Sequence, residues 1–381
     1  MPVLGGHFDR IPDPRREHRR RHALADIFAL TLCAVVAGAD DFVAVEAFGR
    51  ARLDWLRRFV PLAGGVPSHD TLSRVFALVD RDHFEASFAA WAAEAFDKTA
   101  GAVVAVDGKR LRRAHDAGAP MMTVVSAWAS ESGLALGQVA TTDGEGEISA
   151  IPRLLRLLDV SGCIVTMDAA GCQTDIAGQI TDAGGHYVLA VKGNQAGLRA
   201  ACERWVTEAT LARDLDAFET SERGHGREEV RRYWSVAVPG DAVHRALWPG
   251  LSSVGLVEST RTAGDAITTE QRYYASSLPR DAETLARAVR GHWGVENGLH
   301  WTLDVAFGED ASRLRRDHAA ANLSVVRRIA ATRVKAEPTG KGGVQTRRMR
   351  CAWDADYLAR VLELGVQSQG VVGRISNEPA G

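Results

Sequence analysis

Residues 102–107 read AVVAVD and residues 163–168 read CIVTMD, two short apolar runs that each close on an aspartate. A short apolar run between polar segments is typical of a buried strand. A carboxylate at the end of such a strand is held rigidly while its oxygens face a cleft. A third acid, Glu296, lies in the amphipathic stretch LARAVRGHWGVENGLHWTLDVAF at 285–307. If Asp107 and Asp168 end neighbouring strands and a helix brings Glu296 to them, the three side chains form an oxygen cage for hard divalent cations.

The order of elements around the two aspartates indicates that they meet. Strand-like runs at 102–107, 121–130 and 134–142 precede a helix-like segment, EISAIPRLLRLLDV. The strand CIVTMD, a helix, the strand HYVLAVK and a further helix follow. Three strands, helix, strand, helix, strand, helix is the order of the ribonuclease H-like fold, in which the first and fourth strands are neighbours. We therefore predict an α/β protein whose catalytic domain has a mixed five-stranded sheet with helices.

The remaining segments predict five parts of the chain. Residues 1–98 read as an all-α domain, in which Ser68 is a candidate N-cap. Short helices with tight breaks fit either a DNA-binding helix-turn-helix or a bundle that only packs, and both readings stay open. Runs rich in β-branched and aromatic residues predict a β-rich insertion after the first part of the catalytic domain. The predicted boundaries are 1–98, 99–212 for the first part of the catalytic domain, 213–280 for the insertion, 281–335 for the catalytic helix and domain end, and 336–381 for a basic C-terminal tail.

Composition narrows the class of protein. A chain of 381 residues with 46% hydrophobic residues is long enough for two or three domains. The five cysteines form no CxxC pair, which argues against a zinc knuckle and a disulfide framework. The longest apolar stretches are too short to span a membrane, so we expect a cytoplasmic protein with no membrane partner. The net charge is only −2.

Basic residues are nevertheless grouped in three clusters. Any one cluster is more simply a solvated face, but three clusters flanking an acidic cage favour a polyanionic partner. The clusters are Arg15, Arg16, Arg19, Arg20 and Arg21; then Arg313, Arg315, Arg316, Arg327, Arg328, Arg333 and Lys335; then Lys341, Arg347, Arg348 and Arg350.

An ordered set of motifs resembles DDE transposases of bacterial insertion sequences, in particular the ISAs-type group with the H-repeat-associated proteins. The catalytic-domain motifs are VAVDGKRLR, VTMDAAGCQTDIA, YVLAVKGNQ, GHGREEVRR and HWGVENGLHWTLDVAFGEDASRLR. Residues 11–49 resemble the helical domain that precedes the catalytic domain in that group. The resemblance covers nearly the whole chain.

The resemblance implies Mg²⁺-dependent cutting and joining of transposon ends, with Asp107, Asp168 and Glu296 as catalytic and metal-binding residues. We expect Asp107 to bridge two Mg²⁺ ions, Asp168 to bind one and Glu296 the other, with Mn²⁺ able to substitute. Double-stranded DNA, as terminal inverted repeats and as target, is the implied partner, and the implied assembly is a homodimer on paired ends. The expected DNA-contacting residues are Lys192, Asn194, His292, Asn297 and Arg313.

Two other functions fit the same residues. One is a ribonuclease H-like nuclease that cleaves DNA without strand transfer. The other is an inactive derivative that only binds DNA, although the presence of all three acids counts against it.

Overall fold

A computed structural model describes residues 6–95, 100–114, 121–141, 144–224, 227–264 and 266–363. The predicted boundary at 98/99 and the last 18 residues of the predicted tail, 364–381, lie outside these ranges. The helices are α1 (Leu24–Val36), α2 (Phe42–Ala51), α3 (Leu53–Leu56), α4 (His69–Leu78), α5 (Arg81–Ala95), α6 (Glu147–Arg156), α7 (Thr174–Asp182), α8 (Ala196–Ala212), α9 (Val243–Leu247), α10 (Ala282–Gly294), α11 (Trp301–Phe307), α12 (Ala319–Ala336), α13 (Val344–Trp353) and α14 (Ala355–Val361). The strands are β1 (Val103–Arg110), β2 (Thr123–Ala129), β3 (Leu134–Ala140), β4 (Ile164–Met167), β5 (His186–Val191), β6 (Asp216–Gly224), β7 (Arg227–Ala237), β8 (Ser253–Ala263) and β9 (Ala266–Ser276).

The strands form one nine-stranded sheet in the order β3-β2-β1-β4-β5-β9-β8-β7-β6. The first and fourth strands are neighbours, as predicted, with β1 parallel to β4 and antiparallel to β2. The prediction of a five-stranded sheet was wrong in extent, because β9 pairs antiparallel with β5 and continues the same sheet. Residues 216–276 contain β6, β7, β8 and β9, which extend the catalytic sheet by four strands.

Helices cover both faces of the sheet. The buried side chains of α6, α7 and α8 pack with one face, including Val104 and Val106 of β1. Helix α10 packs against the other face, where Val103 is fully buried. This alternation follows from the period of two along a strand. It directs Asp107 to the same side as Val103, toward the helix that carries Glu296.

The N-terminal helices share a core with the C-terminal ones. Buried apolar residues of α1, α2, α4 and α5 pack with those of α11 to α14. The Ser68 side chain accepts a hydrogen bond from the Thr71 N–H at the start of α4, as predicted. No helix in the described part of the chain is long and apolar enough to cross a membrane.

Part of the predicted basic tail is folded, and several of its arginines are structural. Arg348 is 4% exposed and donates hydrogen bonds to the Val35 and Ala39 carbonyls and to the Asp40 carboxylate. Arg327 and Arg328 are also buried. The expectation that the basic clusters face a polyanionic partner or solvent was therefore wrong for Arg327, Arg328 and Arg348. A guanidinium can be buried when carbonyls and carboxylates accept its hydrogen bonds.

Candidate active site

Parallel pairing of β1 with β4 brings Asp107 and Asp168 to the same level of the sheet. Val106 pairs with Met167. Asp107 directly follows Val106, and Asp168 directly follows Met167. The prediction that Asp107 ends its strand was wrong, because β1 continues to Arg110 by pairing with β2. Asp168 does follow the last residue of β4. One of its oxygens, Oδ1, accepts hydrogen bonds from the N–H groups of Ala170 (2.9 Å) and Gly171 (3.4 Å), which orients the carboxylate.

Glu296 lies in a π-helical segment, Val295–His300, between α10 and α11. Single π-turns inside helices often occur at functional sites. Residues seven positions apart lie on one face of an α-helix, but the wider π-turn points them in different directions. Glu296 is exposed, whereas Leu303, seven residues later, is fully buried.

Glycines let the helix with Glu296 approach the catalytic sheet closely. A Cβ on Gly291 would lie 2.7 Å from Cγ1 of Val103, and one on Gly298 would lie 3.0 Å from the Trp128 ring. The Ser130 hydroxyl donates a hydrogen bond to the Gly291 carbonyl at 2.8 Å. These contacts fix the position of Glu296 relative to β1, and the glycine spacing in the sequence was the signal for them.

The pKa of Asp107 is affected by the other two predicted acids and by a fourth acid, Glu147. Burial raises the pKa of Asp107 to about 7, and the negative charges of Glu147, Asp168 and Glu296 act in the same direction. A hydrogen bond from the Gly108 N–H opposes them. Glu147 opens α6, and burial and the charge of Asp168 raise its pKa too. The sequence predicts Glu147 as the first residue of a helix, but nothing in its spacing marks it as a site residue, so it was missed.

Two histidines flank the aspartates. Nδ1 of His292 lies 3.1 Å from the Thr166 hydroxyl, and burial lowers the pKa of this imidazole. Nδ1 of His300 lies 3.6 Å from Oδ2 of Asp107. Burial lowers the pKa of His300 to about 4, with the charge of Arg328 acting in the same direction, so the ring is neutral at neutral pH. His300 was also missed, although its position four residues after Glu296 was a signal.

A cavity of about 460 Å³ opens beside the acids, with Asp168 and Glu296 in its wall. Lys192, His292 and Trp293 also line it. Lys192 is exposed, as a residue that contacts DNA must be.

The other three predicted DNA contacts differ in their settings. Asn194 donates a hydrogen bond at 2.7 Å to the Ala169 carbonyl and so braces the loop after Asp168. Asn297 is exposed beside Glu296, and Arg313 is exposed but lies outside the cavity lining.

Three further acids that follow Glu296 in the sequence, Asp304, Glu309 and Asp310, share a structural partner. Lys109 Nζ lies 2.7 Å from carboxylate oxygens of both Asp304 and Asp310 and 3.6 Å from Glu309. Glu309 is also paired with buried Arg328 at 3.1 Å. Each of these acids therefore lies next to a cationic side chain, whereas the pKa of Asp107 is raised by three neighbouring carboxylates.

The donor set of the site suits a hard divalent cation, because carboxylate oxygens are the ligands that Mg²⁺ and Mn²⁺ prefer. The mutual effect of the carboxylates on the pKa of Asp107 indicates excess negative charge that a cation would balance. Among the described residues, no three His, Cys, Asp or Glu side chains are already drawn together as a ready metal site.

Family comparison identifies the class of protein. Residues 98–333 match the family described as "Transposase DDE domain", and residues 6–92 match the one described as "DDE_Tnp_1-associated". The chain belongs to the DDE transposase family. It is therefore an enzyme that acts on DNA, as the motifs predicted.

Curated relatives agree along nearly the full length of this transposase. It is 40% identical over 369 residues to "Putative transposase YncI" of Escherichia coli O157:H7, covering 94% of this chain and 95% of the relative. It is 38% identical over 374 residues to "H repeat-associated putative transposase YhhI" of Escherichia coli strain K12, covering 95% and 98%. A piggyBac transposase complex with hairpin DNA has a TM-score of 0.45 at 11% identity, covering 96% of this chain and 82% of that one, a similarity too weak to carry a conclusion.

Proposed function

We propose that this transposase cleaves DNA at the ends of an insertion sequence and joins the freed ends to target DNA, using two divalent cations held by Asp107, Asp168 and Glu296. The observation that carries the proposal is the parallel pairing of β1 with β4, which places two aspartates side by side under the helix with Glu296. Mg²⁺ is the expected ion, with Mn²⁺ as a substitute.

The cations, when bound, lower the pKa of the attacking hydroxyl or water and stabilise the leaving oxygen. The charges of both Asp168 and Glu296 raise the pKa of Asp107, so Asp107 would help to hold both ions. Asp168 and Glu296 then each hold one ion. Asp168 is oriented in advance by the backbone N–H groups that bind its Oδ1. The carboxylates repel one another without a cation, which is the physical reason for them to converge when ions bind.

Side chains around the cavity are proposed to position the DNA backbone. Lys192 supplies a positive charge at the cavity wall, and neutral His292 supplies a ring held by Thr166. Asn297 lies on the helix next to Glu296. Asn194 acts mainly through the loop that it braces, and Arg313 contacts DNA farther from the cut. Phosphate contacts of this kind fix register and orientation and do not read sequence.

The N-terminal domain offers a second DNA-binding surface. A cavity of about 1020 Å³ there has six arginines and no carboxylate in its lining. The arginines are Arg15, Arg16, Arg19, Arg21, Arg50 and Arg74. Arg16, Arg19 and Arg21 are exposed. Arg15 and Arg50 are paired with Asp13 and Glu46 outside the lining. The exposed guanidinium groups of Arg16, Arg19 and Arg21 attract phosphates, so we assign this cavity to the DNA flanking the cut.

Substituting two arginines of this cavity tests that assignment. Because each phosphate contact contributes about −0.9 to the slope of log affinity against log salt, Arg16→Gln with Arg19→Gln is expected to reduce the slope by ~2. Arg57→Gln with Arg58→Gln, exposed arginines outside the cavity, serves as the matched control. Equal slopes for both double variants would remove the N-terminal domain from the DNA-binding surface.

The proposed partners are the terminal inverted repeats and a target duplex, bound by a homodimer that holds two ends together. A protein that acts on chromosomal DNA in a bacterial cell works in the cytoplasm, so that is the expected location.

The test supplies the purified protein with duplexes that end in the repeat bordering its gene, a target plasmid, and Mg²⁺ or Mn²⁺. We expect nicked ends and plasmid-joined products with the wild type and neither with Asp107→Asn. Cleavage without joining would indicate the nuclease alternative. Equal activity in the wild type and Asp107→Asn would overturn the proposal.

A further inference from the structure

Glu147 lies beside the active site, although a glutamate at the start of a helix could equally point into solvent. As the first residue of α6 it could stabilise the helix dipole while pointing into solvent, as acids in a first turn commonly do. Instead it is partly buried against β1, where its carboxylate lies beside Gly108.

Gly108 provides the space for this carboxylate. A Cβ added to Gly108 would lie 2.6 Å from the carboxylate carbon of Glu147 and 2.8 Å from each of its oxygens. The φ of Gly108 is not positive, so the backbone conformation does not demand glycine. A glycine inside a strand costs roughly 0.5–1 kcal/mol relative to alanine and often marks the close approach of another group. Here that group is the Glu147 carboxylate.

The placement of Glu147 adds negative charge where two aspartates already repel. Its charge is the largest carboxylate influence that raises the pKa of Asp107, and Asp168 in turn raises the pKa of Glu147. Arg110 lowers the pKa of Glu147, but the raised value means that burial and Asp168 prevail. Carboxylates whose charges raise one another's pKa in this way are costly to keep ionised unless a cation balances them.

We propose that Glu147 is a fourth cation-binding carboxylate of this transposase, which reaches the site past Gly108 from the α6 face of the sheet and acts there with Asp107 and Asp168. The inference rests on the proposed metal-dependent function. It assigns to Gly108 the role of admitting the Glu147 carboxylate to the site. Glu296 then contributes from the opposite side, on its π-helical segment.

The test measures Mn²⁺ binding to the full-length protein by electron paramagnetic resonance of the free ion. We expect Glu147→Gln to raise the Mn²⁺ dissociation constant by ~10-fold or more. Gly108→Ala, whose methyl group would displace the flexible Glu147 side chain, is expected to give a similar loss. In the double variant the two losses should not add, because both act through one carboxylate.

Matched controls are available in the same domain. Glu283→Gln changes an exposed glutamate in the first turn of α10, and Gly224→Ala changes a strand glycine with open space around it. Both should bind Mn²⁺ as the wild type does.

The melting temperature separates cation binding from a structural role. Without metal, Glu147→Gln should melt at or above the wild-type temperature, because it removes repulsion. Wild-type Mn²⁺ affinity in Glu147→Gln, with affinity lost in Asp107→Asn, would overturn this inference alone. Wild-type affinity in both variants would instead overturn the proposed function.

Discussion

Substituting Gly291 with alanine is expected to reduce cleavage strongly while leaving the fold intact. The new Cβ would lie 2.7 Å from Cγ1 of Val103 and 3.2 Å from the Ser130 hydroxyl oxygen. Carbon atoms pack at about 3.5–4.0 Å, so one side must move by ~1 Å. Val103 is fully buried and β-branched, which leaves it little freedom to turn away. The helix with Glu296 must therefore move off the sheet.

The expected magnitudes follow from this displacement. A misplacement of ~1 Å at a reacting centre can reduce the rate by about 100-fold. Overpacking costs ~1–3 kcal/mol, and the better helix propensity of alanine returns ~1 kcal/mol of that. The free energy of unfolding should thus fall by no more than ~2 kcal/mol.

The assay is single-turnover cleavage of a terminal-repeat duplex, with urea unfolding and DNA affinity measured in parallel. Gly294→Ala is the matched control, because its Cβ would meet Trp128 at an ordinary 3.5 Å. It should cleave at the wild-type rate. A wild-type rate for Gly291→Ala, or an equal loss in Gly294→Ala, would refute the proposed control of Glu296 by helix–sheet contact.

Two further predictions concern charge. The pKa of Asp107 is raised to about 7 from 3.8, so the folded metal-free protein keeps a proton that the unfolded chain loses, and its stability falls as pH rises from about 4 to about 7. Asp107→Asn should remove this part of the fall in stability and raise the metal-free melting temperature at pH 8. An unchanged dependence of stability on pH would contradict the prediction. A smaller fall of the same sign should remain, because the pKa of Glu85 is likewise raised to about 7. Glu309→Gln should lower the free energy of unfolding in urea by ~3–5 kcal/mol, because it leaves buried Arg328 without its partner. The control is Glu363→Gln, which removes an exposed carboxylate that pairs with Arg333 and should lower the free energy of unfolding by less than ~1 kcal/mol. Similar losses of stability in the two variants would contradict the account.

The proximity of Asp107 and Asp168 could be predicted because it follows from local patterns in the sequence. Apolar runs, turn residues and helical periodicity gave the element order, and the order implied that the first and fourth strands are neighbours. The same patterns do not predict which strand pairs with the outer edge of β5. The pairing of β9 with β5 joins residues far apart in the chain, so the continuation of the sheet through 216–276 was missed.

Charged residues were harder to interpret than apolar ones. Arg348 resembles a surface charge in the sequence, but its surroundings of carbonyls and Asp40 appear only when α13 packs on the N-terminal helices. Glu147 stands in a glycine-rich acidic segment that is typical of a turn. Its approach to Gly108 depends on how α6 crosses the sheet, which residue spacing does not specify.

The most direct test of the central claim is single-turnover cleavage by Asp107→Asn, Asp168→Asn and Glu296→Gln, each with its DNA affinity and Mn²⁺ affinity. If the three acids form one cation-dependent centre, each variant loses cleavage by ~100-fold or more and binds Mn²⁺ more weakly, yet still binds terminal-repeat DNA. Asp175→Asn, an exposed acid in the first turn of α7, should behave as the wild type. Wild-type cleavage and Mn²⁺ affinity in any one of the three variants would contradict the claim for that residue.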